Sequence, residues 1–234
     1  MSNVRLVTFD VGGTLLRANP SVGAIYAEVL AKRGFPCEAE DVERAFEAAW
    51  ERMEALSSSV ERYGPLPEGE RRYWREMLRV TVRQLGGDEP PDGAADELFD
   101  RFAKPESWRV FPEVPEILAE LSRRGLSMAV VSNWDSRLPA LLRELGLRSF
   151  FGPILVSALE SCEKPDPGIF LAAARRAGVS PEEAIHVGDQ DREDVDGARG
   201  AGFQALKIER TEDGSPGLHA ILEWLDRETP RRRE

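Results

Sequence analysis

The sequence contains little that would tie it to an oxidising compartment or to a membrane. It has only two cysteines, Cys37 and Cys162, which argues against a disulfide framework and favours a reducing compartment. The apolar stretch near Met1 already ends at Asp10, and no apolar run approaches the length that spans a bilayer. From these absences we expect a cytoplasmic protein with no membrane partner.

Positive charge is also scarce. Lys and Arg total 31 against 42 Asp and Glu, which gives a formal net charge of −11. An acidic surface repels nucleic acid, so we expect no nucleic-acid partner. The length of 234 residues suffices for one α/β core and a smaller accessory domain, but not for two large domains. The sequence leaves the oligomeric state open.

A carboxylate stands at the end of the first apolar run. Residues 6–9, Leu-Val-Thr-Phe, are β-prone and lead into Asp10, which is followed by Val11, Gly12 and Gly13. The run fits a strand buried on both faces of a parallel sheet, and ligands bind at the carboxyl ends of such strands. Asp10 is therefore the first candidate for chemistry, although an aspartate before two glycines is also common in turns.

Three later segments also place polar side chains at or near the end of an apolar run. They are Met128 to Val131 leading into Ser132 and Asn133, Lys164 before an apolar helix, and Ala184 to Val187 leading into Gly188, Asp189 and then Asp194. Right-handed crossovers between parallel strands would bring Asp10, Ser132 and Asp189 to one edge of the sheet.

The segment 18–105 has helical spacing and no strand signal. Its apolar residues recur at helical intervals, as Val42, Ala45 and Ala49 do. From Trp108 onward helices and strands alternate, which is typical of parallel βαβ units. We therefore predict an α/β fold, with a Rossmann-like parallel sheet core of residues 1–17 and 106–234 and an inserted all-helical domain of residues 18–105.

The order of these polar segments resembles the four motifs of the haloacid dehalogenase (HAD) superfamily of hydrolases. The motifs would be Asp10, then Ser132, then Lys164, and last the acidic turn of Asp189 and Asp194. Phe9-Asp10-Val11 and Ser132-Asn133-Trp134-Asp135 look closest to the haloacid dehalogenase-like hydrolase domain-containing subgroup, which lacks the second aspartate of the first motif. The resemblance implies that residues 18–105 form a helical cap that controls substrate access.

The resemblance also implies catalytic roles. Asp10 would attack phosphorus and form an aspartyl-phosphate, a known use of carboxylate nucleophiles. Lys164 would hold a positive charge near Asp10 and the phosphoryl oxygens, and Ser132 would donate a hydrogen bond to one of those oxygens. Asn133 would add a further donor, so that Ser132, Asn133 and Lys164 bind the substrate. The substrate would be a small phosphorylated molecule.

A magnesium ion is the cofactor that this pattern implies. Mg²⁺ prefers carboxylates, carbonyls and water, so Asp10, Asp189 and the backbone carbonyl of Gly12 would be its protein ligands. Asp194 would support the ion through water or through a bond to a ligand.

Each assignment has an ordinary structural alternative. Ser132 alone could be a turn residue at a strand end, and Lys164 alone a solvated lysine before a helix. Asp194 could cap a helix, which is compatible with a role at the metal. We expect His186, which stands between Ile185 and Val187, to be a packed strand residue without a catalytic role.

Position 12 departs from the family pattern. HAD phosphatases usually carry there an aspartate that protonates the leaving group and then activates water, and Gly12 can do neither. The loss of a general acid or base typically lowers a rate about 10²–10⁴-fold. Three explanations stay open: a substrate with a good leaving group, a proton from another residue, or a weak or vestigial enzyme.

Other branches of the superfamily also replace this aspartate. The 2-haloacid dehalogenases place tyrosine there and work without metal, whereas this chain keeps Asp189 and Asp194. Phosphonoacetaldehyde hydrolases need a cap lysine, and none of the four lysines lies in the central cap helices. We predict a Mg²⁺-dependent phosphohydrolase of low or unusual activity. A non-catalytic HAD-fold binding protein and a 2-haloacid dehalogenase-like hydrolase are the alternatives.

Overall fold

The chain forms two compact units. The computed structural model describes residues 4–56, 68–210 and 217–228. One unit, here the sheet unit, comprises Met1–Arg17 and Val110–Glu234, and the other, here the helical unit, comprises Ala18–Arg109. Among the described residues, no helix is long and apolar enough to cross a membrane.

A parallel sheet organises the sheet unit. The strands of the chain are β1 (Leu6–Phe9), β2 (Leu16–Ala18), β3 (Trp108–Val110), β4 (Ser127–Ser132), β5 (Ile154–Val156), β6 (Ala184–Gly188) and β7 (Gln204–Lys207). Five of them form one parallel sheet in the order β5-β4-β1-β6-β7. Phe9 pairs in register with Val130 and Val187, so β1, β4 and β6 end nearly level. The residues that follow these strands therefore emerge at one edge.

Helices connect the strands. They are α1 (Val22–Lys32), α2 (Ala39–Leu56), α3 (Glu68–Gln84), α4 (Ala94–Phe102), α5 (Val114–Arg123), α6 (Leu138–Glu144), α7 (Ser157–Glu160), α8 (Pro167–Ala177), α9 (Gly197–Gly200) and α10 (His219–Glu228). In α8, Asp166 caps the first turn by accepting from the Gly168 N–H, and Ile169 and Phe170 pack against Leu6 and Val131 of the sheet. This is the α/β, Rossmann-like core that the sequence predicts.

The helical unit contains α1 to α4. Ser21 caps α1, because its side chain accepts from the Ala24 N–H at 3.1 Å. The interior of the unit is apolar and includes Ile25, Leu30 and Leu78. In the described part of 19–107 the regular elements are all helices, as the helical spacing of the sequence predicts.

Two local features were not predicted. The strands β2 and β3 pair as a small second sheet where the chain passes between the units. Three-residue strands are too short to show an alternating pattern in a sequence. The second feature is a π-helical turn at Asp191–Asp196, which contains Asp194. Turns of this kind are rare and carry no sequence signature of their own.

Candidate active site

The carboxyl edge of the sheet gathers the polar residues that the sequence singles out. Asp10 follows β1, and its backbone N–H donates to the Val187 carbonyl at 2.9 Å. Ser132 ends β4 and donates to Asp10 Oδ1 at 3.0 Å. The same oxygen accepts from Lys164 Nζ at 2.6 Å. The fold thus brings Asp10 into contact with Ser132 and Lys164, both of which lie more than a hundred positions later in the chain.

Lys164 lies between two carboxylates. Its Nζ donates to Asp10 Oδ1 at 2.6 Å and to Asp194 Oδ1 at 2.5 Å, and 3% of its side chain is exposed. Burial acts to lower the pKa of the ammonium, but the two carboxylates outweigh it and raise that pKa above its ordinary value. Lys164 is therefore a permanently charged group in the interior, which excludes the solvated alternative.

Asn133 holds the main chain of Lys164. Its Oδ1 accepts from the Lys164 N–H at 2.8 Å, and its Nδ2 donates to the Lys164 carbonyl at 2.9 Å. This two-point contact connects the end of β4 to the segment that carries the lysine. The structure thus shows Asn133 as a positioning residue for Lys164, and its expected role as a donor to substrate stays a prediction.

Asp194 is enclosed by donors. Its Oδ1 accepts from Lys164 and from His186 Nε2, the latter at 3.0 Å, and its Oδ2 accepts from the Gln190 N–H at 2.9 Å. Burial acts to raise its pKa, but Lys164 and His186 lower the pKa well below the ordinary range. A Cβ on Gly188 would lie 2.1 Å from Asp194 Cγ, so only glycine permits this approach. Asp194 is thus the ionised partner of Lys164.

His186 is packed on β6, as expected, but it also belongs to the site. Its Nδ1 lies 2.8 Å from Thr8 Oγ1, and the edge of the Phe170 ring meets the imidazole with centroids 5.0 Å apart. Burial lowers its pKa, which favours the neutral ring. Because an ionised carboxylate only accepts, Nε2 carries the proton that faces Asp194. A sequence pattern gives no sign of this contact.

Asp189 rests against the turn that follows β1. Its Oδ1 accepts from Thr14 Oγ1 at 3.2 Å, and its Oδ2 accepts from Gln190 Nε2 at 2.6 Å. Gly13 has φ of 75°, and a Cβ there would lie 2.7 Å from Asp189 Oδ2. Burial, and next the charge of Asp194, raise the pKa of Asp189. Thr14 and Gln190 are contacts that the sequence analysis did not predict.

Three carboxylates converge around one point. Each of Asp10, Asp189 and Asp194 has an oxygen within 4.8 Å of the others. Burial is the main reason why the pKa of Asp10 rises to about 6, with the lysine opposing it and the two other aspartates adding to it. Three carboxylates beside one ammonium leave two negative charges uncompensated when all are ionised. Hard oxygen donors with this excess charge fit a divalent cation such as Mg²⁺.

Position 12 has room for a β-carbon. Gly12 does not have a positive φ, and a Cβ there would lie 3.4 Å from Trp134 Cζ3, which is an ordinary van der Waals distance. Its backbone therefore does not require glycine, in contrast to Gly13. Neither the backbone conformation nor the space at the β-carbon therefore enforces glycine at this position.

Comparisons with known proteins agree with this geometry. Residues 4–202 match the haloacid dehalogenase-like hydrolase family, and the chain belongs to that family. It is 37% identical over 216 residues to the mouse haloacid dehalogenase-like hydrolase domain-containing protein 3. The aligned region covers 89% of this chain and 83% of the relative.

Two further comparisons represent different chemistries within the family. A phosphoserine phosphatase from Thermus thermophilus is 35% identical over 175 residues, covering 71% of this chain and 64% of the relative. The crystal structure of a 2-haloacid dehalogenase from Pseudomonas syringae pv. tomato superposes with a TM-score of 0.62 at 27% identity, covering 97% of this chain and 100% of the other. The chain is thus a HAD hydrolase whose relatives include named phosphatases.

Proposed function

We propose that the protein is a Mg²⁺-dependent phosphohydrolase that acts on a small phosphorylated molecule through an aspartyl-phosphate. The observation that carries this proposal is the convergence of Asp10, Asp189 and Asp194 around a buried lysine. Asp10, Asp189 and the Gly12 carbonyl would hold the cation. Asp194 would support the cation and also accept the hydrogen bond from Lys164. When bound, Mg²⁺ would offset the negative charge of the carboxylates and of the phosphoryl oxygens.

Asp10 is the nucleophile in this proposal. Its Oδ1 accepts from Ser132 and Lys164, so we assign Oδ2 to the attack on phosphorus. The new bond between oxygen and phosphorus forms as the bond to the leaving group breaks, and water then hydrolyses the aspartyl-phosphate. Lys164 would offset the negative charge of the transferred phosphoryl oxygens, and Ser132 would donate a hydrogen bond to one of them.

Gly12 restricts the leaving group. A glycine cannot protonate an alkoxide, so turnover favours substrates whose leaving group departs as a stable anion. Acyl phosphates and aryl phosphates meet this condition, whereas alkyl phosphates do not. The absence of this aspartate therefore predicts a preference among phosphorylated substrates and not only a low rate.

The remaining assignments follow from the sequence. We assign the helical unit the role of a cap that controls substrate access. A reducing, cytoplasmic setting remains our proposal, and Cys37 and Cys162 are both free thiols.

A substrate screen tests the proposal. The full chain is assayed with an aryl phosphate, acetyl phosphate, an alkyl phosphate and a 2-chloroalkanoate, each with and without Mg²⁺. We expect turnover of the first two substrates that needs Mg²⁺ and disappears in Asp10→Asn. Asp191→Asn is the matched control, because Asp191 is 74% exposed and pairs with Lys207.

The same screen separates the alternatives. Metal-independent release of halide from the chloroalkanoate would identify a dehalogenase. Binding of inorganic phosphate without turnover of any substrate would identify a non-catalytic binding protein. Phosphatase turnover that survives Asp10→Asn would assign the reaction to another site.

A further inference from the structure

A buried arginine outside the four motifs holds the turn that follows the nucleophile. Arg210 lies beyond the end of β7, and only 9% of its side chain is exposed. Its Nε donates to the Gly13 carbonyl at 3.2 Å, and its guanidinium also donates to the Thr14 carbonyl. Two successive carbonyls of this turn are thus bound by one rigid, planar group.

The other side of Arg210 is anchored. Its guanidinium donates to Glu113 Oε1 at 2.6 Å and stacks 3.5 Å from the centroid of the Phe111 ring. Glu113 Oε1 also accepts from the Leu218 N–H at 3.2 Å, just before α10. Arg210 is therefore fixed by the segments that precede α5 and α10, and it cannot move without breaking several contacts.

The turn at Gly13 and Thr14 also supports Asp189. Thr14 Oγ1 donates to Asp189 Oδ1, and the backbone of Gly13 lies so close that a Cβ would meet the Asp189 carboxylate at 2.7–3.0 Å. Asp189 provides one of the three carboxylates that converge at the site. A shift of the turn would therefore displace an oxygen that the cation needs.

We propose that Arg210 is a positioning residue for the cation site: by holding the carbonyls of Gly13 and Thr14, it keeps Asp189 in place to bind Mg²⁺ with Asp10. The inference rests on the proposed function for the identity of the cation. Groups that orient a metal ligand without touching the metal typically contribute 10–100-fold to metal affinity. Arg210 orients Asp189 through the turn at Gly13 and Thr14, so we expect its removal to weaken Mg²⁺ binding by a factor in this range.

Calorimetric titration of the full chain with MgCl₂ tests the proposal without any substrate. We expect Arg210→Met to raise the Kd for Mg²⁺ about 10–100-fold, and Arg210→Lys to raise it less, because lysine offers a point charge without the planar fork. Each titration is made at a temperature where circular dichroism shows the variant folded. Arg210→Lys gives the answer if Arg210→Met does not fold.

Arg124→Met is the matched control. Arg124 likewise joins two helices of the sheet unit, donating to Glu120 of α5 and to Asp226 of α10 at 2.7 Å each. We expect its Kd to stay within about twofold of the parent, because Arg124 contacts no part of the turn. An equal loss of affinity in Arg124→Met would mean that general destabilisation explains the effect.

A double variant tests the path. If Arg210 acts through the turn, Thr14→Val combined with Arg210→Met should weaken binding by less than the product of the two single effects. An unchanged Kd in folded Arg210→Met and Arg210→Lys would overturn the inference while leaving the proposed function standing. A parent protein that does not bind Mg²⁺ would instead refute the cation of the proposed function, and the inference with it.

Discussion

The sheet unit contains a buried cluster of charged side chains, and the helical unit offers exposed ion pairs for comparison. In the sheet unit, Asp10, Lys164 and Asp194 are buried, and the Lys164 ammonium donates to both carboxylates. In the helical unit, the pair of Glu28 and Arg101 is typical, with 43% and 32% of the side chains exposed. Removing charges from water is costly unless they are paired and hydrogen-bonded, so a buried cluster of this kind indicates a function more than a gain in stability.

Carboxylate pKa values show the same contrast. Burial raises the pKa of Asp10 to about 6, whereas hydrogen bonds from Arg101 and Lys32 lower the pKa of Glu28 to about 2. Asp10 thus loses its proton less readily than an ordinary carboxyl group, and Glu28 loses its proton more readily. The difference teaches that the pair of Glu28 and Arg101 lies at a surface of the helical unit, while the buried pairs that Lys164 forms with Asp10 and Asp194 hold the candidate site of the sheet unit together.

Removal of the central ammonium should produce the largest effect. Lys164→Met leaves two carboxylates facing each other in the interior, and breaking a buried pair in this way costs about 3–5 kcal/mol. We expect this loss in denaturant unfolding at pH 8, together with the loss of phosphatase turnover. Lys207→Met is the control, because Lys207 forms an exposed pair with Asp191. Equal stability losses in the two variants would contradict the contrast between buried and exposed ion pairs.

Addition of a carboxylate should change the site next most. Gly12→Asp supplies the missing acid at a position whose backbone does not require glycine and whose surroundings accept a β-carbon. We expect it to raise kcat/KM for an alkyl phosphate by up to about 10²–10⁴-fold and that for an aryl phosphate far less. In the phosphorylation step, which kcat/KM reports, only the alkoxide needs a proton, whereas activation of water in the second step is common to both esters. Steady-state rates on both esters measure the difference.

The parent and the variant must bind Mg²⁺ equally for this comparison to be valid. Equal rates for both proteins on both esters would show either that another residue supplies the proton or that the scaffold does not catalyse. Trapping of phosphorylated Asp10 in the parent distinguishes these two cases. Its accumulation shows that attack occurs, and its absence with good leaving groups favours the binding protein.

A pH titration should separate the two carboxylates. In the cation-free protein, Asp10 should titrate near pH 6 and Glu28 near pH 2. Because the folded-state pKa of Asp10 is raised, its ionisation lowers stability as pH rises from about 4 to 6. Because that of Glu28 is lowered, its contribution is present above its ordinary pKa and disappears as pH falls toward 2.

Carbon NMR of the carboxyl groups measures both midpoints, with Asp10→Asn and Glu28→Gln as assignment controls. Addition of Mg²⁺ should lower the midpoint of Asp10 and leave that of Glu28 unchanged, since a cation at the site favours the ionised form. Similar midpoints for the two groups would contradict the contrast between the units.

Loss of a surface pair should have the smallest effect. Arg101→Met removes one of the two cationic partners of Glu28, Lys32 being the other, and exposed pairs typically contribute about 0.2–1 kcal/mol. Denaturant unfolding in low and high salt should show a small loss that shrinks as salt screens the charges. A loss as large as that in Lys164→Met would contradict the view that this unit depends on its apolar interior.

Much of the site was predictable because its residues follow strands. Asp10, Ser132 and Asp189 each end or follow an apolar run, and in a parallel sheet such positions converge. The contacts of Asn133 and His186 were not predictable in the same way. An asparagine that binds a main chain thirty-one positions away and a histidine buried beside a carboxylate leave no periodic signal.

The sequence by itself determined the fold class, the helical insertion and the place of Asp10 at the end of a strand, because local periodicity and strand-end polarity record burial along the chain. Only the tertiary structure decided that Lys164 bridges Asp10 and Asp194, that Gly13 but not Gly12 needs glycine, and that Arg210 holds the turn. These contacts join residues far apart in the chain, so their geometry exists only once the strands have been assembled side by side.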